Sequence, residues 1–138
     1  MSTGPGPHDL ANTRLILDDN QKATTKTVTP AFYAELNNEF GSFKGHCLIA
    51  QNDFSEAWPT WEMHPEGDEF VYLIFGEIDF VLWLDGVEQI IRVSEPGSYI
   101  VVPKGVWHTA RPTVPTRMLF VTPGEGTLNA REPEGEAL

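Results

Sequence analysis

The stretch from Glu69 to Val93, EFVYLIFGEIDFVLWLDGVEQIIRV, constrains this chain more than any other. Its runs of Val, Ile, Leu and aromatic residues suit a pleated, half-buried surface. Two turn signals divide it. Gly76-Glu77 suits a tight turn with Gly first, and Asp85-Gly86 is a strong hairpin pair. The β signal begins at Phe43, and further strands are expected over 97–102, 108–111 and 116–122, separated by Pro or Gly. Many short strands with a turn every 8–12 residues predict an all-β sandwich or small barrel. One short helix is expected earlier. Thr29 is placed to cap it, Pro30 suits its first turn, and AFYAELNNEF has apolar residues at 32, 33, 36 and 40. Such an element is expected to pack on the outside of a sheet.

At 138 residues the chain makes one domain with a real core. Residues 1–9, with Gly4-Pro5-Gly6-Pro7, read as a disordered tail, 10–123 as the domain, and the Gly-, Glu- and Pro-rich 124–138 as a flexible tail. The net charge of −11 argues against nucleic acid and anionic membrane surfaces as partners. No apolar run is long enough to span a membrane. The start, MSTGPGPHDL, lacks the basic and apolar regions of a signal peptide. Cys47 is the sole cysteine, so no intrachain disulfide forms, and a reducing, cytoplasmic location is expected.

Period-two geometry gathers chemistry at one place. Glu62 and His64, two residues apart on a strand, share a face. Pro65-Glu66-Gly67-Asp68 has turn composition. If it closes a hairpin, Glu69 lies opposite His64, about 5 Å away at Cβ, close enough for both to hold one ion. His108 follows the turn PKGVW after another strand.

At these residues the chain resembles the cupin family. The first cupin motif, G-x5-H-x-H-x(3,4)-E-x6-G, is met by EMHPEGDEFVYLIFG, with His64, Glu69 and Gly76 at the spacings of its second His, its Glu and its last Gly. The second motif, G-x5-P-x-G-x2-H-x3-N, is met by GSYIVVPKGVWHTARP from Gly97 through His108. Glu62 stands where the family has its first His, Glu56 where the first motif opens with Gly, and Pro112 where the second closes with Asn.

The resemblance implies a jelly-roll (double-stranded β-helix) small barrel around one divalent ion. Its ligands would be Glu62, His64, Glu69 and His108, although Glu62 could instead act by hydrogen-bonding to a ligand. Two imidazoles and two carboxylates suit Fe, Mn, Ni or Zn. Four protein ligands leave positions for water, oxygen or a chelating substrate. The resemblance therefore points to a metal-dependent enzyme acting on a small polar molecule: a dioxygenase, or an isomerase or lyase of a carbonyl or carboxylate compound. Glu62 or Glu69 would double as a general base. The alternative is a non-catalytic cupin that binds or senses a small molecule; no DNA-binding segment is evident, which favours the enzyme.

Other residues have plainer readings. Trp58, Trp61, Trp83 and Trp107 are candidates for core or pocket lining. Core packing is expected of Cys47 and a surface position of His46; Arg111 and Arg117 are candidates for binding a carboxylate substrate or for the surface, and an inward His108 turns Arg111 outward by alternation. If Glu69 points inward, so do Val71, Leu73 and Phe75, leaving Phe70, Tyr72 and Ile74 on an outer face too apolar for water. The helix or a second subunit must cover that face, and a homodimer is expected.

Overall fold

The computed structural model describes residues 4–138. Among these, eleven strands and one helix follow in the order β1 (Thr13–Leu17), β2 (Ala23–Thr27), α1 (Phe32–Phe40), β3 (Cys47–Phe54), β4 (Trp61–Met63), β5 (Glu69–Phe75), β6 (Ile78–Leu84), β7 (Val87–Val93), β8 (Tyr99–Val102), β9 (His108–Pro112), β10 (Thr116–Pro123) and β11 (Leu128–Ala130). The disordered tail expected over 1–9 lies, for its first three residues, outside the described residues.

The strands form two antiparallel sheets, ordered β2-β1-β3-β10-β5-β8 and β11-β4-β9-β6-β7. Among the described residues, neither closes on itself and no ladder joins one to the other. The expected closed barrel is thus corrected to two open sheets packed face to face. The reason lies in β1 and β2, which extend the six-stranded sheet past β3. There its inner face is covered by α1: Phe32, Leu36 and Phe43 pack on Ile16, Leu48 and Ala50. The edge strand β2 reads ATTKT, polar and lysine-bearing, as an unpaired edge should.

Val71, Leu73, Val102, Met118 and Phe120 of one sheet meet Ile78, Phe80, Leu82, Val93 and Ala110 of the other. These positions alternate along their strands, so the period-two reading of β5 holds for Val71 and Leu73. It fails at Phe75, which is exposed. A bulge between Arg117 and Met118 shifts the β10–β5 register there, and Phe75 turns out beneath the Arg117 guanidinium.

Two expected turns prove to be crossings between sheets. Asp85-Gly86 does close the β6–β7 hairpin, both residues having positive φ. Gly76-Glu77, however, carries the chain from β5 in one sheet to β6 in the other. Glycine is required at that crossing: Gly76 has φ 105°, and a Cβ would lie 2.6 Å from Thr116 Cα. Likewise Pro65–Asp68 joins β4 to β5 across the sandwich instead of closing a hairpin.

The helix also departs from expectation. Its N-cap is Ala31, with no side-chain cap. Thr29 donates instead to Glu35 Oε1 at 2.6 Å. And α1 sits on the inner face of its sheet, not the outer one.

Candidate metal centre

Each side chain of the centre is placed by strand register. Glu62 and His108 are direct partners in the β4–β9 ladder, and Asn129 of β11 is Glu62's partner on its other side. Glu69 opens β5 in the opposing sheet and pairs with Val102. Two strands of one sheet thus confront one strand of the other. Residues 124–138, read from sequence as a tail, supply β11 and Thr127.

Glu62, His64 and His108 each offer a ligand atom, all within 4.8 Å of one another. Glu69 bridges the two imidazoles: His64 Nε2 lies 3.3 Å from its Oε2, and His108 Nε2 lies 3.2 Å from its Oε1. Glu62 Oε1 is 3.8 Å from His108 Nε2. Donors sharing one ion at about 2.1 Å sit roughly 3–4 Å apart, so the set fits a divalent cation. His64 Nε2, Glu69 Oε1 and His108 Nε2 are buried and make no hydrogen bond. Buried polar atoms are seldom left so, and three aimed at one place call for a shared partner.

The other ring nitrogens set the tautomers. His108 Nδ1 lies 3.1 Å from the Val106 carbonyl, so it must donate. His64 Nδ1 lies 2.8 Å from Thr127 Oγ1, whose own proton goes to the Gly124 carbonyl at 3.1 Å, so this nitrogen donates as well. In the neutral rings both Nε2 lone pairs then face the centre, the arrangement a metal-binding histidine needs. Thr127 was invisible to sequence reasoning, since a hydroxyl in a Gly-rich stretch carries no ligand signal.

The carboxylates differ in character. Burial is the largest influence on Glu69 and would raise its pKa, but the contacts from His108 and His64 outweigh it and hold the group at about 2. Thr122 Oγ1 also donates to its Oε2 at 2.6 Å. Burial, and then the charge of Glu69, push Glu62 above the usual carboxylate range. Its side chain is 31% exposed, against 3% for Glu69 and 0% for His108, so Glu62 faces the open side. Burial would lower His108, yet its contact with Glu69 prevails and raises it.

That open side is a cleft of about 1140 Å³, running from the centre to α1. Glu62, His64 and Glu69 line one end, and Tyr33, Leu36 and Asn37 of the helix line the other. Of the four tryptophans only Trp58 lines it. Its ring packs on Phe54, Phe80 and Phe120, 6.2 Å from His108, and its buried Nε1 has no partner. Trp61, Trp83 and Trp107 cluster on the far side of their sheet with Val81 and Ala130. Arg117 makes two bonds to Asp53, at 2.8 and 3.0 Å, and Arg111 lies 3.5 Å from Glu88, both outside the cleft. Cys47 is half-buried at the start of β3.

With this geometry in place, comparison with known proteins is informative. The family model for the cupin domain matches residues 53–129, and the chain belongs to the cupin family. Comparison with curated proteins gives no match. Similar solved structures include a cupin-2 domain containing protein from Shewanella frigidimarina, at 21% identity over 56% of this chain and 70% of that one, TM-score 0.48. Hydroquinone 1,2-dioxygenase from Sphingomonas sp. TTNP3 is 18% identical over 55% and 58%, TM-score 0.47. Oxalate decarboxylase from Bacillus subtilis is 18% identical over 61% of this chain and 23% of its own, TM-score 0.51; at that identity the likeness concerns the fold.

Proposed function

We propose that this cupin is a metal-dependent enzyme acting on a small polar molecule that meets the ion in the cleft, and that Glu62, His64, Glu69 and His108 all hold the ion. The observation that carries the reading is the trio of buried, unpartnered atoms on His64, Glu69 and His108, of which His64 and Glu69 line an open cleft. The unpartnered Trp58 Nε1 supports a ligand with a hydrogen-bond acceptor. A bound Fe, Mn, Ni or Zn ion would polarise an oxygen function of the substrate. The chain's own residues divide the remaining work. The two histidines present lone pairs fixed by Val106 and Thr127. Glu69, buried between the two histidines and accepting from Thr122, would supply negative charge to the ion. Glu62, the ligand open to the cleft, is the carboxylate placed to take a proton from a substrate that displaces it from the ion, and to return it. This favours isomerase or lyase chemistry at a carbonyl or carboxylate compound over dioxygenation.

The test is elemental analysis of protein purified without chelators, followed by oxygen-uptake and solvent-deuterium exchange assays on keto acids, catechols and thiols. Mn, Ni or Zn, with exchange beside a carbonyl and no oxygen uptake, is the expected result. Since the oxalate decarboxylase relative has Mn(II) centres, Mn is the first ion to supply. Iron with oxygen uptake would select dioxygenase chemistry instead. Metal binding without turnover of any of these would leave only a binding role.

We also propose a homodimer through the outer face of β5 and β8. Phe70, Tyr72, Tyr99 and Val101 form a continuous apolar surface there, with Tyr99 59% and Val101 47% exposed. The helix, lying on the opposite face, does not cover it.

A further inference from the structure

We propose that Arg14 is an anion-binding residue of the same cleft, and that the substrate carries a carboxylate at its end away from the metal centre. Arg14 is the only arginine or lysine among the described residues that line the cleft. Its guanidinium lies 4.7 Å from the Phe32 ring centroid and 5.5 Å from that of Tyr33. It donates to Tyr33 Oη at 3.3 Å and to Asn52 Oδ1 at 3.2 Å. Both partners are neutral, and among the described residues Arg14 makes no ion pair. By contrast, the two arginines that hold a carboxylate with two bonds, Arg92 on Asp79 and Arg117 on Asp53, lie on the surface.

A guanidinium has five N–H donors. Two are used, so the planar fork is held between an aromatic pair and an amide with most of its donors free. That is a pre-organised receptor for a planar carboxylate. A phosphate dianion is less suited, because Glu56 shares the cleft with Arg14, whereas Asp53 is already neutralised by Arg117.

Register gives the distance scale. Arg14 shares the inner face of β1 with Ile16, and continuing the β1–β3 register by one residue puts it in the row of Ala50, Phe120 and Val71, while Glu69 lies on β5 one row along. Three strand spacings of about 4.8 Å put the two backbones about 14 Å apart. The ligand is therefore a small elongated acid, one end at the ion and the other at Arg14. The placement of the second end rests on the metal reading; the carboxylate site at Arg14 does not.

Two measurements separate these claims. In metal-free protein, the Arg14 side-chain N–H resonances are followed by NMR during titration with glutarate, glutaramide and inorganic phosphate. Glutarate should shift them, with the amide inert and phosphate weaker; no response to glutarate, or a stronger one to phosphate, overturns the carboxylate assignment. In Mn-loaded protein, calorimetry compares 2-oxo diacids of increasing length with 2-oxo monoacids of equal length. At one length the diacid should bind about tenfold tighter. Arg14→Gln should erase that ratio with Mn content unchanged, and Arg14→Lys should retain part of it. Equal binding of diacids and monoacids at every length, or a ratio that survives in Arg14→Gln, overturns the proposal. If Arg14→Gln does not fold, the reduced ratio in Arg14→Lys is the deciding value. Failure to take up Mn, Fe, Ni and Zn alike would sink the metal reading alone, with the NMR titration still deciding Arg14.

Discussion

Glu62 differs from its three neighbours by facing solvent, and three substitutions around the centre separate a ligand from a group that only orients one. Losing a group that orients a ligand weakens metal binding about 10–100-fold, and losing a ligand costs more. Glu62→Ala should therefore weaken metal binding as severely as His108→Ala, while Thr127→Val, which strips His64 Nδ1 of its acceptor, should fall within the smaller range. Metal titrations of the three variants against the parent check this; near-native affinity in Glu62→Ala would remove it from the ligand set. The centre also leaves a pH signature in the metal-free protein. Glu69 is held at about 2, below its ordinary 4.5. An acid held low adds stability above its unfolded value and loses it as pH falls towards its folded one, so that contribution should disappear between about pH 4.5 and 2. His108, held above 6.5, works in the opposite sense: its contribution is complete below 6.5 and is lost as pH rises through its raised value. Urea midpoints across pH for the parent, Glu69→Gln and His108→Ala should show the acid-side loss missing in the first variant and the alkaline-side loss missing in the second. His64, Glu69 and His108 were legible in the sequence because motif spacing marks them. Thr127 and Arg14 were not, since each meets its partners through contacts distant in sequence and neither belongs to a patterned motif.

Strand identity was readable from alternation, but strand partnership was not. The pattern of β5 to β7 located three strands, yet both Gly76-Glu77 and Pro65–Asp68 have turn composition whether they close a hairpin or cross between sheets. Composition reports that the chain turns; only the burial of both sheets against each other decides where it goes next. His64 and Glu69 accordingly meet across the sandwich, not along a ladder. The helix was found and its position was not, because an apolar stripe states that a face is buried and not against which side of a sheet. The β5–β6 crossing yields a direct prediction. Gly76→Ala would force a Cβ against Thr116 at positive φ, and should destabilise the fold by about 2–4 kcal/mol in denaturant unfolding. A change under about 0.5 kcal/mol would show that the crossing relaxes freely.

At the scale of the molecule, the open sheets explain why the site has room. A sheet extended by β1 and β2 and roofed by α1 leaves a cleft between the helix and the second sheet. Closure was expected because the motifs describe the central strands; β1, β2 and β11 lie outside them. The outer face of β5 and β8 belongs to this scale too. Light scattering at micromolar concentration should give twice the 15.4 kDa chain mass. Val101→Lys together with Tyr72→Lys should return it to one, because charge desolvated in a packed interface is costly. A parent that remains monomeric as concentration rises contradicts the dimer. The central claim, that Glu62, His64, Glu69 and His108 hold one divalent ion, is tested most directly by metal stoichiometry after chelator-free purification and reloading with Mn, Fe, Ni and Zn. The result expected is close to one equivalent of one of these ions per chain, falling below about a tenth in His64→Ala and His108→Ala. A parent holding less than about a tenth of an equivalent of each ion, or variants that keep the full complement, would contradict it.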